Sequence, residues 1–165
     1  MAVSDRIAVM HQGSLVQEGT AEDLYHRPVS QFVAQFVGRV NLVSGRVAEI
    51  AGDRVKVAAL GTALDARSTS KSLASGASVQ LVIRPETIEI VNAQSGSAQA
   101  MVESRTFLGE KIEYVVRCGG EALQVVRYSA GPGEAFPAGA TISLRFGEDA
   151  VTVLPATSTE SHRGE

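Results

Sequence analysis

Beyond Asn41 the sequence alternates apolar and polar residues in short runs, a period of two that is typical of β-strands with one buried face. The clearest pair of runs spans residues 111–117 and 123–127, with Gly119 and Gly120 between them. Glycine readily adopts the positive φ angles that tight hairpin turns require. The pattern therefore predicts a β-hairpin over residues 111–127.

Similar runs, each bounded by Gly, Pro, Ser or Asp, predict further strands. They cover residues 42–50, 54–58, 62–66, 79–84, 88–90, 141–146 and 151–154. Pro85 has no amide hydrogen to donate within a sheet, so it should end the strand that precedes it. Many short strands, with little helical pattern after Gly38, favour a small antiparallel barrel or sandwich, of the size of an oligonucleotide- and oligosaccharide-binding (OB) barrel.

Composition argues against several classes of function. The 165 residues are 44% hydrophobic, enough for an ordinary core, and a net charge of −3 with scattered basic residues offers no surface for nucleic acid. The single cysteine, Cys118, excludes an internal disulfide framework and suits a reducing compartment. No apolar run approaches the roughly 20 residues of a membrane span, and residues 1–6 lack the pattern of a signal peptide. We therefore expect a cytoplasmic protein without direct membrane insertion.

The first 38 residues read differently from the rest of the chain. Residues 7–10 and 14–17 predict two strands joined by a turn at His11-Gln12-Gly13. A two-stranded ribbon with apolar side chains has unpaired edges, which favour association with other strands. We therefore expect this hairpin to pack on the barrel, to pair with a second copy of the chain or to be disordered.

Two short helices are predicted after this hairpin. Thr20 followed by Asp23 is an acidic variant of the N-terminal capping box, which predicts a helix over residues 23–26. Ser30 is suited to cap a second helix with one apolar stripe, and Gly38 to take the left-handed position after its end. The stripe consists of Phe32, Val33, Phe36 and Val37.

The stretch SDRIAVMHQGSLVQEGTAEDLYHRPVSQFVAQFVG, residues 4–38, resembles the end of the nucleotide-binding domain in ATPase subunits of ABC importers of the spermidine/putrescine, iron(III) and maltose type. It carries an S-D-R-I strand, a Q-x-G-T turn, an E-x-L-Y-x-x-P helix and an F-V-A-x-F-[IV]-G helix. Three later segments resemble the TOBE regulatory domain that follows in such subunits. They are LVIRPETIEI, RTFLGEKIEYVV and ISLRFGEDAVTVLP.

The resemblance implies a mainly β fold: a small antiparallel OB-like barrel of the TOBE type, preceded by a β-hairpin and two short helices left over from an α/β ATPase domain. Residues 1–38 would be the remnant of the nucleotide-binding domain, 39–155 the TOBE or OB-like regulatory domain, and 156–165 a flexible tail. The chain would then be the C-terminal part of a longer subunit.

Several motifs that a working ATPase of this type requires do not occur in the sequence. These are a G-x-x-x-x-G-K-[ST] phosphate loop, the signature sequence and the switch histidine, since His11 lies after S-D-R-I rather than before it. The three histidines, His11, His26 and His162, also lack the spacing of metal ligands. We expect no catalytic residue, cofactor or metal in this chain, whereas the intact family member would hydrolyse ATP with magnesium.

The leading hypothesis is a non-catalytic regulatory and dimerisation module of an importer ATPase subunit. The resemblance implies a second copy of the chain and the transporter's membrane subunits as partners, at the inner face of the membrane. The alternative is a stand-alone barrel that binds a small ligand, an oxyanion or a polyamine. An oligonucleotide-binding barrel is a third possibility, which the acidic balance disfavours.

Four charged residues are candidates for ligand or interface contacts. Arg84 and Glu86 flank Pro85 at a strand end, where a locally hydrogen-bonded turn is the favoured interpretation and a ligand or partner contact the other. Arg105 and Glu110 lie near the F-L-G hairpin, either as surface charges or as a recognition edge. The planar fork of arginine is suited to bind an oxyanion.

Overall fold

The computed structural model describes residues 4–68, 73–91, 98–128, 135–147 and 149–156. Residues 4–37 are termed the front unit. It contains β1 (Ile7–His11), β2 (Ser14–Gly19), α1 (Ala21–His26) and α2 (Gln31–Val37). The capping box is confirmed, because Asp23 N–H donates to the Thr20 hydroxyl while the Asp23 carboxylate accepts from Thr20 N–H.

The β1–β2 hairpin packs on the two helices of its own unit. Val9 of β1, Leu24 of α1 and Val33 of α2 are buried together in a small apolar core. This arrangement differs from the expectation that the hairpin would pack on the barrel or be disordered, and its pairing with a second copy of the chain stays a prediction. The short helices cover one apolar face of the ribbon, so the β-barrel is not needed for that purpose.

Two predictions about α2 are wrong in detail. Val33 and Ala34 are fully buried, but Phe36 of the predicted stripe is 67% exposed, because the buried face turns toward the hairpin and the barrel. Gly38 has φ 166°, an extended rather than left-handed conformation. A Cβ at Gly38 would lie 3.3 Å from the Tyr25 ring and 3.5 Å from Arg84 Nη1, so close packing is the structural reason for glycine there.

Five strands form a closed barrel in the order β12-β5-β4-β3-β6. They are β3 (Asn41–Ala51), β4 (Arg54–Ala59), β5 (Thr62–Ser68), β6 (Ser78–Ile83) and β12 (Val151–Pro155). Neighbours pair antiparallel, with the exception of β12 and β5, which run parallel where Thr152 pairs with Arg67. The predicted antiparallel barrel is therefore closed by one parallel contact.

The other five strands form a second sheet in the order β10-β9-β8-β11-β7. They are β7 (Ile88–Val91), β8 (Ala98–Phe107), β9 (Lys111–Cys118), β10 (Glu121–Tyr128) and β11 (Thr141–Phe146). The β9–β10 hairpin is confirmed, with positive φ at Gly119 and Gly120. Pro85 ends β6 as predicted and begins a 3-10 helix, Pro85–Thr87, that leads from the barrel to the second sheet.

Barrel and second sheet share one continuous apolar core, which includes Val57 and Leu81 of the barrel and Val116 and Leu144 of the second sheet. The chain enters the second sheet at β7 and returns to the barrel at β12, so the second sheet is inserted between two strands of the barrel. We term residues 41–156 the β unit. The predicted mainly β fold with a small barrel is confirmed. The structure also contains a second five-stranded sheet, which the prediction of one barrel did not include.

Cys118 lies between the two runs that predict the β9–β10 hairpin, which placed it in the turn, but the structure places it in a strand. It is the last residue of β9 and is fully buried, on the same face as Val116 and Tyr114. Its Sγ lies 4.0 Å from the Leu60 carbonyl oxygen, and burial raises the pKa of the thiol. Alternation of side chains along the strand places Cys118 in the core.

The described α-helices are short. Neither α1 nor α2 is long and apolar enough to cross a membrane, and the described ranges contain no other α-helix.

Candidate functional site

Arg84 joins the front unit to the β unit. Arg84 is buried, with only 4% of the residue exposed, and its guanidinium donates three hydrogen bonds to main-chain carbonyls. Nη1 donates to Ala34 O at 3.0 Å and to Arg39 O at 2.9 Å, and Nη2 donates to Tyr25 O at 3.1 Å. One side chain of the barrel thus binds the ends of both helices of the front unit.

The local sequence explains why Arg84 has this position. A residue before proline prefers extended backbone, and Arg84 has φ −76° and ψ 135°. The side chain therefore continues from the end of β6 toward the front unit and stacks over the Tyr25 ring, with Cζ 4.0 Å from the ring centroid. Burial lowers the pKa of Arg84, and the neighbouring Tyr25 and Glu86 partly offset that effect.

Glu86 binds the front unit as well. Its carboxylate accepts a hydrogen bond from the Tyr25 hydroxyl. Burial, followed by this hydrogen bond to a negative acceptor, raises the pKa of Tyr25 to about 12. Arg84 and Glu86 therefore hold the same tyrosine, one at its carbonyl and ring face and the other at its hydroxyl.

Arg39 extends this junction to the second sheet. Its Nη1 lies 2.6 Å from Glu113 Oε1 on β9, and Lys111 Nζ lies 3.0 Å from the same oxygen. Hydrogen bonds from Arg39 and then Lys111 lower the pKa of Glu113, because they stabilise the carboxylate. The ion pair raises the pKa of Arg39 in turn.

A groove of about 330 Å³ lies beside Arg39, against strands β8, β9 and β10. Its polar lining consists of Arg39, Ser104, Thr106, Glu113, Tyr114 and Gln124. Because successive residues of a strand face opposite sides, Ser104 and Thr106 share a face that Arg105 between them does not. The groove offers a guanidinium, a carboxylate, hydroxyls and an amide, which suits a small polar ligand rather than an apolar one.

The four predicted site residues lie in two places. Arg84 and Glu86 both contact the front unit at the junction. The favoured interpretation was a locally hydrogen-bonded turn, and Thr87 does donate locally to Arg84 O, but the contacts with the front unit go further than that turn. Arg105 and Glu110 are exposed at the β8–β9 hairpin and do not line the groove. Whether any of the four contacts a ligand stays a prediction.

Sequence reasoning did not select Arg39, Ser104, Glu113 or Gln124. A period-two pattern in 104–106 and 113–115 was a usable signal for which residues share a strand face. That pattern did not show which strands are neighbours in the sheet. It also did not show that Arg39 would lie beside those strands.

The two described histidines lie in different places in the front unit. His11 packs on Phe32 with ring centroids 4.0 Å apart, His26 ends α1, and His162 lies outside the described residues. Among the described residues, no three His, Cys, Asp or Glu side chains lie close enough together to hold a metal ion. A cleft of about 380 Å³ at His26 and Arg27 also contains Arg67, whose Nη2 lies 2.9 Å from Asp149 Oδ1, so this arginine already has a carboxylate partner.

Comparison with known families connects this geometry to a class of proteins. A family model described as the TOBE domain matches residues 81–154, which include Arg84, Glu86 and strands β7–β11. Residues 81–154 are TOBE-like in sequence. The matched range includes most of the groove, whereas the front unit, Arg39 and strands β3–β5 precede it.

The curated relatives extend the similarity to the front unit. The chain is 33% identical over 155 residues to a spermidine/putrescine import ATP-binding protein of Pseudomonas aeruginosa, a match that covers 93% of this chain and 42% of that protein. It is 36% identical over 122 residues to such a protein of Clostridium novyi, covering 71% of this chain and 32% of the relative. An Fe(3+) ions import ATP-binding protein of Rhizobium meliloti is 32% identical over 126 residues, a match that covers 76% of this chain and 35% of that protein.

The chain is thus a relative of ABC importer ATP-binding subunits, and it spans less than half the length of these three. Among solved structures, the cytoplasmic molybdate-binding protein ModG with molybdate bound has a TM-score of 0.59 at 19% identity, covering 70% of this chain and 95% of that one. This likeness supports the TOBE-type β fold.

Proposed function

We propose that the chain is a non-catalytic regulatory module of an ABC importer ATP-binding subunit. The observation that carries the proposal is the junction at Arg84, where one buried side chain binds Tyr25, Ala34 and Arg39 and so docks the front unit on the β unit. The similarity to importer ATP-binding proteins covers both units, since it spans 93% of the chain. In this proposal the front unit ends an ATPase domain and the TOBE domain regulates it.

The proposed partners follow from this role. ATP and magnesium would bind to the part of the relatives that this chain does not span, and residues 1–38 and 39–155 would divide the chain as the family resemblance implies. A second copy of the chain and the importer's membrane subunits would be the macromolecular partners. The assembled subunit would work in the cytoplasm, at the inner face of the membrane.

A segment exchange tests the regulatory role. The matching segment of the Pseudomonas aeruginosa relative is replaced by this chain, and the rate of ATP hydrolysis is measured alongside that of the isolated chain. We expect hydrolysis by the chimera, none by the isolated chain, and a changed rate when residues 41–165 are deleted from the chimera.

A matched control separates regulation from loss of folding. Arg117→Gln in the chimera removes an exposed ion pair with Glu103 elsewhere in the second sheet and should leave hydrolysis unchanged. Hydrolysis by the isolated chain, or a folded chimera whose rate is the same with and without the β unit, would contradict the proposal.

A second candidate function is the binding of a small oxyanion or polyamine. The groove supports it, because its lining offers positive charge at Arg39 and negative charge at Glu113 beside hydroxyl donors. The fold is also similar to that of ModG, a molybdate-binding protein.

Calorimetric titration of the isolated chain with molybdate, sulfate and spermidine tests this second function. Saturable binding of an anion that Arg39→Gln weakens, or of spermidine that Glu113→Gln weakens, would favour it. Heats that do not differ from dilution for all three compounds would count against it.

A further inference from the structure

Arg39 is held at both of its ends by different parts of the molecule. Its carbonyl oxygen accepts from Arg84 Nη1 at 2.9 Å, at the junction with the front unit. Its guanidinium lies 2.6 Å from Glu113 on β9, in the groove of the second sheet. The groove and the junction are therefore connected through one residue, by its side chain on one side and its carbonyl group on the other.

The short segment around Arg39 is closely held. Residues 38–40 connect α2 to β3, and we term them the linker. A Cβ at Gly38 would lie within 3.5 Å of Arg84, and Val40 packs against a small apolar cluster between α2 and the barrel. The next residue, Asn41, binds the backbone of β10. A displacement at one attachment of the linker is therefore passed to its neighbours rather than absorbed by loose chain.

The hold of Arg84 on the front unit depends on the position of this linker. Its three acceptors are main-chain carbonyls at 2.9–3.1 Å, and such bonds weaken steeply with distance and angle. Moving the Arg39 carbonyl changes one of these bonds directly. Because Arg84 is buried, losing a carbonyl acceptor would leave part of its charged guanidinium without a hydrogen-bond partner, which costs free energy.

We propose that the Arg39–Glu113 ion pair and the Arg84 junction act as one coupled unit, so that breaking the ion pair in the groove loosens the front unit from the β unit. The regulatory meaning of this coupling rests on the proposed function, because it would give an occupant of the groove a route to the ATPase domain. The coupling itself involves only residues of this chain, so it can be tested without an ATPase domain.

Hydrogen–deuterium exchange of the intact chain, read by mass spectrometry, tests the coupling. Glu113→Gln and Arg39→Gln should each raise the exchange rate of amides in α1 and α2 by about threefold or more. Glu103→Gln is the matched control, because Glu103 forms an ion pair with Arg117 in the same sheet at 2.8 Å, away from the linker. We expect it to leave the exchange of α1 and α2 at the wild-type rate.

Arg84→Lys completes a double-mutant comparison. Lysine keeps the charge but not the fork that binds Ala34, Arg39 and Tyr25. If Arg84 and Glu113 act as a unit, the amides of α1 and α2 in the double variant Arg84→Lys/Glu113→Gln should exchange no faster than in the faster of the two single variants. Multiplied rates in the double variant, or equal effects of Glu113→Gln and Glu103→Gln, would overturn the proposal. Neither result depends on ATP hydrolysis by the chimera, so the two proposals fail separately.

Discussion

Asn41 binds the main chain of Gln124 through two hydrogen bonds. Its Nδ2 donates to Gln124 O at 2.8 Å, and its Oδ1 accepts from Gln124 N–H at 2.7 Å. Asn41 begins β3 of the barrel, and Gln124 lies in β10, an edge strand of the second sheet. The side-chain amide thus pairs with that edge as a neighbouring strand would, and it joins the two sheets of the β unit near the groove.

Removing this contact should destabilise the β unit. Asn41→Ala deletes two hydrogen bonds at a residue that is only 6% exposed. We expect the free energy of unfolding to fall by about 2 kcal/mol, measured by urea denaturation. Gln124→Ala is the control, because Gln124 uses only its main chain in this pair and should change the free energy little. Equal losses for both variants would contradict this account.

Gly45 is required by the close approach of β4. A Cβ at Gly45 would lie 2.5 Å from Val57 Cγ1, and Val57 is fully buried. Gly45→Ala should therefore lower the free energy of unfolding by roughly 1–3 kcal/mol through overpacking. Gly147→Ala, where the nearest atom would be 3.9 Å away, should have little effect. Val57→Ala should reduce the cost of Gly45→Ala, and an additive double variant would exclude the clash as its cause.

The ion pair of Glu113 predicts a loss of stability in acid. Its pKa is lowered in the folded state by Arg39 and then Lys111, so the carboxylate contributes stability above the unfolded pKa of about 4.3. That contribution is lost as the pH falls through the lower folded pKa. Glu113→Gln should weaken the dependence of the urea midpoint on pH below about 4.3. Lys56→Gln, which removes an exposed amine 3.9 Å from Glu49, is a control for charge and should keep the wild-type dependence.

Tyr25 predicts a loss of stability in alkali. Its folded pKa of about 12 lies above the unfolded value of 10.0, so the neutral phenol contributes stability below pH 10.0 that is lost as the pH rises toward 12. Tyr25→Phe should be less sensitive than the wild type between pH 9 and about 11, as measured by urea denaturation at each pH. Glu86→Gln removes the negative acceptor and should lower the pKa of Tyr25. An unchanged alkaline profile in Tyr25→Phe would show that the junction does not hold the phenol.

Local elements were predictable because their signals are local. Thr20 and Asp23 form the predicted capping box, Pro85 ends its strand, and Gly119 and Gly120 make the predicted hairpin turn. Each signal acts through bonds or sterics within a few residues. The buried position of Cys118 could also have been read from the alternation of β9, had the strand been extended by one residue.

The candidate site was predictable only in part. Arg84 and Glu86 were selected from their place beside Pro85, but the sequence could not show that both bind Tyr25, which lies about sixty residues earlier. Arg105 was selected as a charged residue near the F-L-G hairpin, whereas the groove is lined by its neighbours Ser104 and Thr106. Charge and residue type indicate what a side chain is able to bind, and the pairing of strands decides what it meets.

The sequence by itself determined the mainly β character of the chain, its turns and helix caps, and the motifs that resemble importer ATP-binding subunits. These properties depend on backbone preferences and side-chain alternation over short distances. Only the tertiary structure decided that two sheets share one core, that β12 returns to close the barrel, and that Arg39 connects Arg84 to Glu113. Those relationships are contacts between residues far apart in the chain, and they arise when burial of the common core brings strands and helices together.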